Sequence, residues 1–116
     1  MALPLHNFTI HVDADWNLTF TQPTIDSVAV DMTDSAWGGW VLQIKKSIDY
    51  QPVKLSVTET ANTNGSQFVT GATSSAMTVV EEDLDEIGPG TWHYNVLFTY
   101  SGTTYLALHG NLVVKG

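Results

Sequence analysis

Residues 91–115 read TWHYNVLFTYSGTTYLALHGNLVVK, and this stretch decides the fold. In its first half every second residue is large and apolar, which places five side chains on one face of a strand: Trp92, Tyr94, Val96, Phe98 and Tyr100. Ser101-Gly102 then forms a two-residue turn, and Tyr105–Val114 returns antiparallel to the first half. Because Leu97 makes the opposite face partly apolar as well, we expect the outgoing strand to be central in its sheet.

The same period of two recurs along the rest of the chain. It predicts earlier strands at Phe8–Val12, Trp16–Thr21, Val28–Met32, Trp40–Lys45, Val53–Thr58, Gln67–Thr70 and Ala76–Val80. Residues 81–90 are predicted to be a connection with room for a single helical turn before Pro89. Seven to eight short strands separated by frequent turns predict one all-β domain, an antiparallel β-sandwich over residues 8–116, preceded by an N-terminal arm of residues 1–7.

Composition excludes several classes of function. The chain has four Lys, no Arg and twelve acidic residues, giving a formal net charge of −8, so it has too few cations to bind nucleic acid. No apolar run approaches the ~18 residues of a membrane span, and no secretory signal is visible, so we expect a protein made in a cytoplasm. It has no cysteine and no recognisable nucleophile–base spacing, so neither an enzyme nor a cofactor is expected.

Three stretches of the sequence also resemble the immunoglobulin-like domains of tailed-phage structural proteins, such as the N-terminal domain of the baseplate upper protein and tail-fibre modules. These stretches are VDMT at 30–33, VLQIK at 41–45, and the closing hairpin with its lead-in IGPGTWHYNV at 87–96 and its exit LHGNLVV at 108–114. The resemblance implies an immunoglobulin-like sandwich and a place in a virion, assembled in the host cytoplasm. It implies no catalytic residues.

The densest group of charges is EEDLDE at 81–86, with five carboxylates in six residues. Calcium takes six to eight oxygen ligands, so Glu81, Glu82, Asp83 and Asp85 are calcium candidates. The spacing lacks the EF-hand pattern, and a solvated acidic loop is the favoured interpretation.

Four histidines are the possible ligands of a transition metal: His6, His11, His93 and His109. His93 and His109 fall on the two paired strands of the closing hairpin, so they are expected within a few residues of each other in register. Because no third ligand stands at a recognisable spacing, ordinary strand histidines are favoured over a metal site.

The segment Trp37-Gly38-Gly39-Trp40 is the most unusual in the chain. Trp40 begins a predicted central strand and is expected to be the buried tryptophan of the sandwich. Trp37 falls outside the alternation and is, with Tyr50, a candidate for binding a partner, since Trp and Tyr are enriched at binding hot spots.

Together these features predict a non-enzymatic structural or interaction protein of a phage virion: a tail, baseplate, fibre or capsid-decoration component. Its expected partners are other virion proteins and further copies of itself in a homo-oligomer. The alternative is a carbohydrate-binding module that recognises a host-surface glycan with Trp37 and Tyr50.

Overall fold

The computed structural model describes residues 5–46 and 52–116. Its elements, in chain order, are β1 (Phe8–His11), β2 (Trp16–Thr21), β3 (Thr24–Ile25), β4 (Val28–Ala29), β5 (Trp37–Lys45), β6 (Val53–Thr58), β7 (Gln67–Thr70), β8 (Ser74–Val79), α1 (Glu81–Ile87), β9 (Gly90–Tyr100) and β10 (Thr103–Lys115). No helix within these residues has the length and apolar character that crossing a membrane requires.

Eight of these strands form two facing sheets. The five-stranded sheet has the order β1-β10-β9-β5-β6, and the three-stranded sheet has the order β2-β8-β7. In immunoglobulin nomenclature β5, β6, β9 and β10 take the places of strands C, C′, F and G, and β2, β7 and β8 those of B, D and E. The predicted all-β sandwich is therefore confirmed.

One strand pair, β1 with β10, differs from the predicted antiparallel arrangement. β1 runs parallel to β10, with Phe8 opposite Leu112 and Ile10 opposite Val114. These two strands stand at opposite ends of the chain, so no hairpin fixes their relative direction. β1 leads instead through a short turn into β2, which lies in the other sheet.

The closing hairpin forms as predicted. Tyr100 lies opposite Thr103, and the two turn residues Ser101 and Gly102 both have positive φ, at 51° and 78°, as a tight type I′ connection requires. A bulge between Leu106 and Leu108 shifts the register once. β9 lies between β10 and β5 and is the central strand, which confirms the inference from its two apolar faces.

Aromatic side chains from the two sheets meet in the core. Trp40 is 3% exposed and stacks on Phe68 of the opposite sheet, with ring centroids 6.0 Å apart and planes 10° from parallel. Trp16 meets Tyr94 edge to face at 5.6 Å. Trp40 is thus the buried tryptophan of the sandwich, as expected, and its indole N–H donates to the sulfur of buried Met32 at 3.3 Å.

Two connections differ from their predictions. Residues 28–32 do not form one strand, because β3 and β4 make a separate two-stranded hairpin that ends at Ala29. The connection after β8 holds a seven-residue helix instead of a single turn. Leu84 and Ile87, three residues apart, turn the same side of this helix inward, and their burial stabilises the second turn.

The first described residues pack against β10. The amide of His6 donates to the carbonyl of His109 at 2.9 Å, and the buried Tyr94 hydroxyl donates to the carbonyl of His6. Gly110 permits this approach, since a Cβ there would lie 2.1 Å from the His6 carbonyl oxygen. Of the predicted arm, residues 5–7 therefore follow β10, and residues 1–4 lie outside the described part of the chain.

Candidate functional site: the outer face of the five-stranded sheet

The five-stranded sheet has one face on the core and one face turned away from it, here called the outer face. Across its middle, Val41 of β5 lies directly opposite Leu97 of β9, which lies directly opposite Leu106 of β10. All three side chains are half-buried, with no second layer covering them in the described structure. These three residues, the apolar row, form a continuous hydrophobic strip over three strands.

Polar and basic side chains occupy the outer face beside the apolar row. The next cross-strand row places Gln43 opposite Asn95 and Asn95 opposite His109. The row after it places Lys45 opposite His93. We call Lys45, His93 and His109 the basic half of the outer face.

His93 is the most buried member of the basic half, at 8% exposure. Its Nε2 lies 3.2 Å from the side-chain oxygen of Asn95, and its ring centroid lies 6.1 Å from that of His109. Burial lowers the pKa of His93; the bond to Asn95 opposes this, and the nearby charges of His109 and Lys45 add to the lowering. The two histidines thus come together as their register predicts.

A shallow depression of about 510 Å³ lies at the end of the basic half, between β9, β10 and the start of the chain. His93, His109 and Asn111 line it, together with Trp92 and Lys46. The Lys46 ammonium lies 4.8 Å from the centre of the Trp92 ring, a cation–π contact. The depression therefore offers basic groups around an aromatic floor.

The calcium candidates lie on α1 and do not converge. Glu81, Glu82 and Asp85 are exposed, whereas Asp83 is 2% exposed and points into the domain. Within residues 5–46 and 52–116 there is no group of three or more His, Asp, Glu or Cys side chains placed to hold a metal ion. The acidic segment is therefore a helix with one buried carboxylate. The interpretation favoured from the sequence, a solvated acidic loop, is wrong.

Asp83 fastens α1 to the loop before β7. Its carboxylate accepts hydrogen bonds from the side-chain amides of Asn62 and Asn64, both at 2.8 Å, and from the Ser66 hydroxyl. Burial raises the pKa of Asp83, and the three hydrogen bonds together outweigh burial, so this pKa lies below its usual value. All its polar contacts are to the domain itself, which makes Asp83 a structural residue.

Trp37 lies at the edge of the aromatic core. Its ring stacks on Phe98 at 5.7 Å, and its indole N–H donates to Glu59 at 3.0 Å. A bulge between Trp37 and Gly39 places Trp37 on the same side of β5 as Trp40, which is why it breaks the alternation in the sequence. Gly38 allows this bulge, since a Cβ there would lie 2.9 Å from Thr99.

The second candidate for partner binding, Tyr50, lies outside the described residues. A different pair of tyrosines marks one end of the sandwich, where Tyr100 and Tyr105 line a groove of about 340 Å³ beside exposed Val28 of β4. The Tyr100 hydroxyl donates to the Asp34 carboxylate at 2.9 Å, and Tyr105 stacks on Phe98 at 5.2 Å. Both rings are held in place by the domain.

The sequence pattern alone does not single out the outer face. Leu97 gives β9 a second apolar side, and this signal by itself indicates only a central strand. The position of the Lys and His residues on predicted strands was a second signal. A comparison of the chain with protein-family models and with curated proteins gives no match.

Proposed function

We propose that this chain is a non-enzymatic structural and interaction domain of a bacteriophage virion, and that it packs against neighbouring virion proteins through its outer face. The observation that carries the proposal is the apolar row, formed by Val41, Leu97 and Leu106 in direct register on three adjacent strands. A hydrophobic centre with a polar surround is the usual anatomy of a protein interface. The assignment to a phage virion comes from the sequence resemblance to phage immunoglobulin-like domains.

The size of the apolar row indicates how such a domain works. Completing the burial of three half-buried aliphatic side chains contributes about 3 kcal/mol, from ~1.5–3 kcal/mol for each full side chain. Micromolar binding needs about 8 kcal/mol, so one such contact is weak without the polar groups around it. In a symmetric particle the same contact is repeated many times. This repetition supplies the missing binding free energy, because each contact already made raises the effective concentration for the next one.

The test is reconstitution on particles. Purified chain is added to phage particles assembled without it, and bound chain is measured after sedimentation through a density gradient. We expect saturable binding at a fixed number of copies for each particle. Chain that stays at the top of the gradient at every concentration contradicts the proposal.

The second candidate function is recognition of a host-surface glycan, and the groove at the end of the sandwich favours it. Tyr100 and Tyr105 offer aromatic rings in fixed positions, and exposed Val28 completes an apolar wall. A glycan array probed with the wild-type chain and with Tyr105→Ala tests this function. Binding to one glycan class that Tyr105→Ala abolishes supports it, and the absence of signal on every glycan rejects it.

A further inference from the structure

The loop before β7 contains a chemically labile pair, Asn64-Gly65, and no other asparagine in the sequence is followed by glycine. The backbone nitrogen after an asparagine can attack the side-chain carbonyl carbon, and a glycine puts no side chain in the way. Both residues are exposed, and among the described residues no atom lies within 4 Å of where a Cβ on Gly65 would be. The turn requires this glycine, because its φ is 99°. Solvent can therefore reach an asparagine with a reactive neighbour.

The reaction open to this pair is a hydrolysis in two steps. The Gly65 nitrogen loses its proton to solvent and bonds to the Asn64 side-chain carbonyl carbon, the C–Nδ2 bond breaks, and ammonia leaves a five-membered imide ring. Water then opens the ring at either of its carbonyl groups, which gives aspartate or isoaspartate at position 64. One water is consumed and one ammonia is released, with no oxidation or reduction.

The folded domain restrains both reacting groups. The Gly65 N–H donates to the backbone carbonyl and to the side-chain oxygen of Asn62, both at 3.0 Å, so the attacking nitrogen is held together with its proton. The Asn64 side-chain nitrogen donates to the Asp83 carboxylate at 2.8 Å, which holds the amide against α1. Reaction therefore requires both sets of hydrogen bonds to open.

The charge of Asp83 adds to this restraint. Burial raises the pKa of Asp83, but its three hydrogen bonds outweigh burial, so the carboxylate is charged at neutral pH. Deamidation starts from a deprotonated backbone nitrogen and passes through an oxyanion on Asn64. Negative charge thus develops beside a fixed negative charge, and their repulsion raises the barrier to the reaction.

We propose that Asn64 is a site of spontaneous deamidation that the Asp83 carboxylate restrains while α1 is docked, and that its conversion releases the loop from α1. The reaction removes the Nδ2 donor and puts a carboxylate in its place, against buried Asp83. Two carboxylates in contact repel at neutral pH. Because ammonia has left, the change is one-way and marks the age of the molecule. This inference goes beyond the proposed function and does not depend on it.

The first experiment measures the rate of conversion at Asn64. Full chain is incubated at pH 7 in buffer and in strong urea and is then digested with pepsin in acid, where imide formation is slow. Mass spectrometry follows the exchange of NH₂ for OH in the peptide that contains Asn64. We expect conversion to be at least about tenfold slower in buffer, because the folded chain reacts only through local opening. Asn17, which is exposed and followed by Leu18, should stay unmodified.

Asp83→Asn tests the restraint by the carboxylate. This variant should convert at position 64 about tenfold faster than wild type in buffer, since it opens more often and lacks the repelling charge. Asp85→Asn makes the same change in charge on the exposed side of α1 and should leave the rate unchanged. Thermal unfolding checks that each variant is folded. No conversion of wild type in urea, equal wild-type rates in buffer and urea, or equal rates in the two variants overturns the inference.

A second comparison tests the consequence of conversion, and it remains decisive if Asp83→Asn does not fold. Asn64→Asp carries the aspartate product, and Asn64→Ala removes the same donor without adding a charge. At pH 7, Asn64→Asp should unfold at a lower urea concentration than Asn64→Ala. The matched pair Asn17→Asp and Asn17→Ala controls for net charge and should show no such loss. If Asn64→Asp is as stable as Asn64→Ala, the proposed release of the loop is wrong.

Discussion

Asp83 accepts a hydrogen bond from the side-chain amide of Asn64 at 2.8 Å, which joins the buried side of α1 to the loop that precedes β7. Asn62 and Ser66 donate to the same carboxylate, and Asn62 also accepts the backbone N–H groups of Asn64, Gly65 and Ser66 through its side-chain oxygen. One buried charge thus orders a polar loop and holds the helix whose outer side is acidic.

Replacing Asp83 with Asn should destabilise the domain by about 3 kcal/mol. The NH₂ group of the new amide would face side chains that already donate, from Asn62, Asn64 and Ser66, and these donors would lose their acceptor. Urea unfolding at pH 7, followed by tryptophan fluorescence, measures this change in the free energy of unfolding. Asp85→Asn, on the exposed side of the same helix, is the matched control and should stay within about 0.5 kcal/mol of wild type. Equal stability of both variants would refute the structural role of Asp83.

The contribution of Asp83 should disappear in acid. Its pKa in the folded state is held below the unfolded value, so its stabilisation is fully present above about pH 4 and is lost as the pH falls through the folded pKa. The difference in unfolding free energy between wild type and Asp83→Asn should therefore shrink steadily below pH 4. A difference that is constant from pH 7 to the acid unfolding limit is incompatible with a charge-dependent network.

His93 should make the domain less stable as the pH falls below neutrality. Because burial lowers its pKa in the folded state, the unfolded chain takes up this proton first, and stability declines as the pH falls through about 6.5. Titration of the imidazole resonances by NMR, with His93→Gln to assign the signal, reads this pKa directly. The account predicts a midpoint below 6.5, the unperturbed histidine value, and a midpoint above it would be inconsistent with burial as the dominant effect.

Gly110→Ala should release the start of the chain from β10. A Cβ at this position lies 2.1 Å from the His6 carbonyl oxygen, and the cost of this overlap is about 1–3 kcal/mol. Hydrogen exchange of the His6 amide, which donates to His109, should accelerate in the variant. Gly71→Ala, where a Cβ meets only the Ser74 carbonyl at 3.6 Å, is the control and should leave that exchange rate unchanged.

The strands of this fold are largely predictable from sequence because their signal is local. The alternation of Trp16, Leu18 and Phe20 is enough to place β2, and the Ser101-Gly102 turn fixes the register of the closing hairpin. The parallel pairing of β1 with β10 is not predictable in this way, because it joins the two ends of the chain and no connecting turn sets its direction.

The candidate site was less predictable, for a related reason. A surface row such as Val41, Leu97 and Leu106 exists only once three strands are placed side by side in the correct register. The same holds for Asp83, whose partners stand 17 to 21 residues earlier in a loop with no strand pattern. The sequence showed the acidic cluster, and only the packing of Leu84 and Ile87 distinguishes its buried carboxylate from its exposed ones.

The most direct test of the docking role of the outer face compares two aliphatic-to-glutamate substitutions on opposite sheets. Leu97→Glu places a charge in the centre of the apolar row, and Val69→Glu places the same charge at a 62% exposed position on the three-stranded sheet. Each folded variant is sedimented with particles assembled without the chain. The account predicts that Val69→Glu binds as wild type does and Leu97→Glu does not; undiminished binding of Leu97→Glu would contradict it.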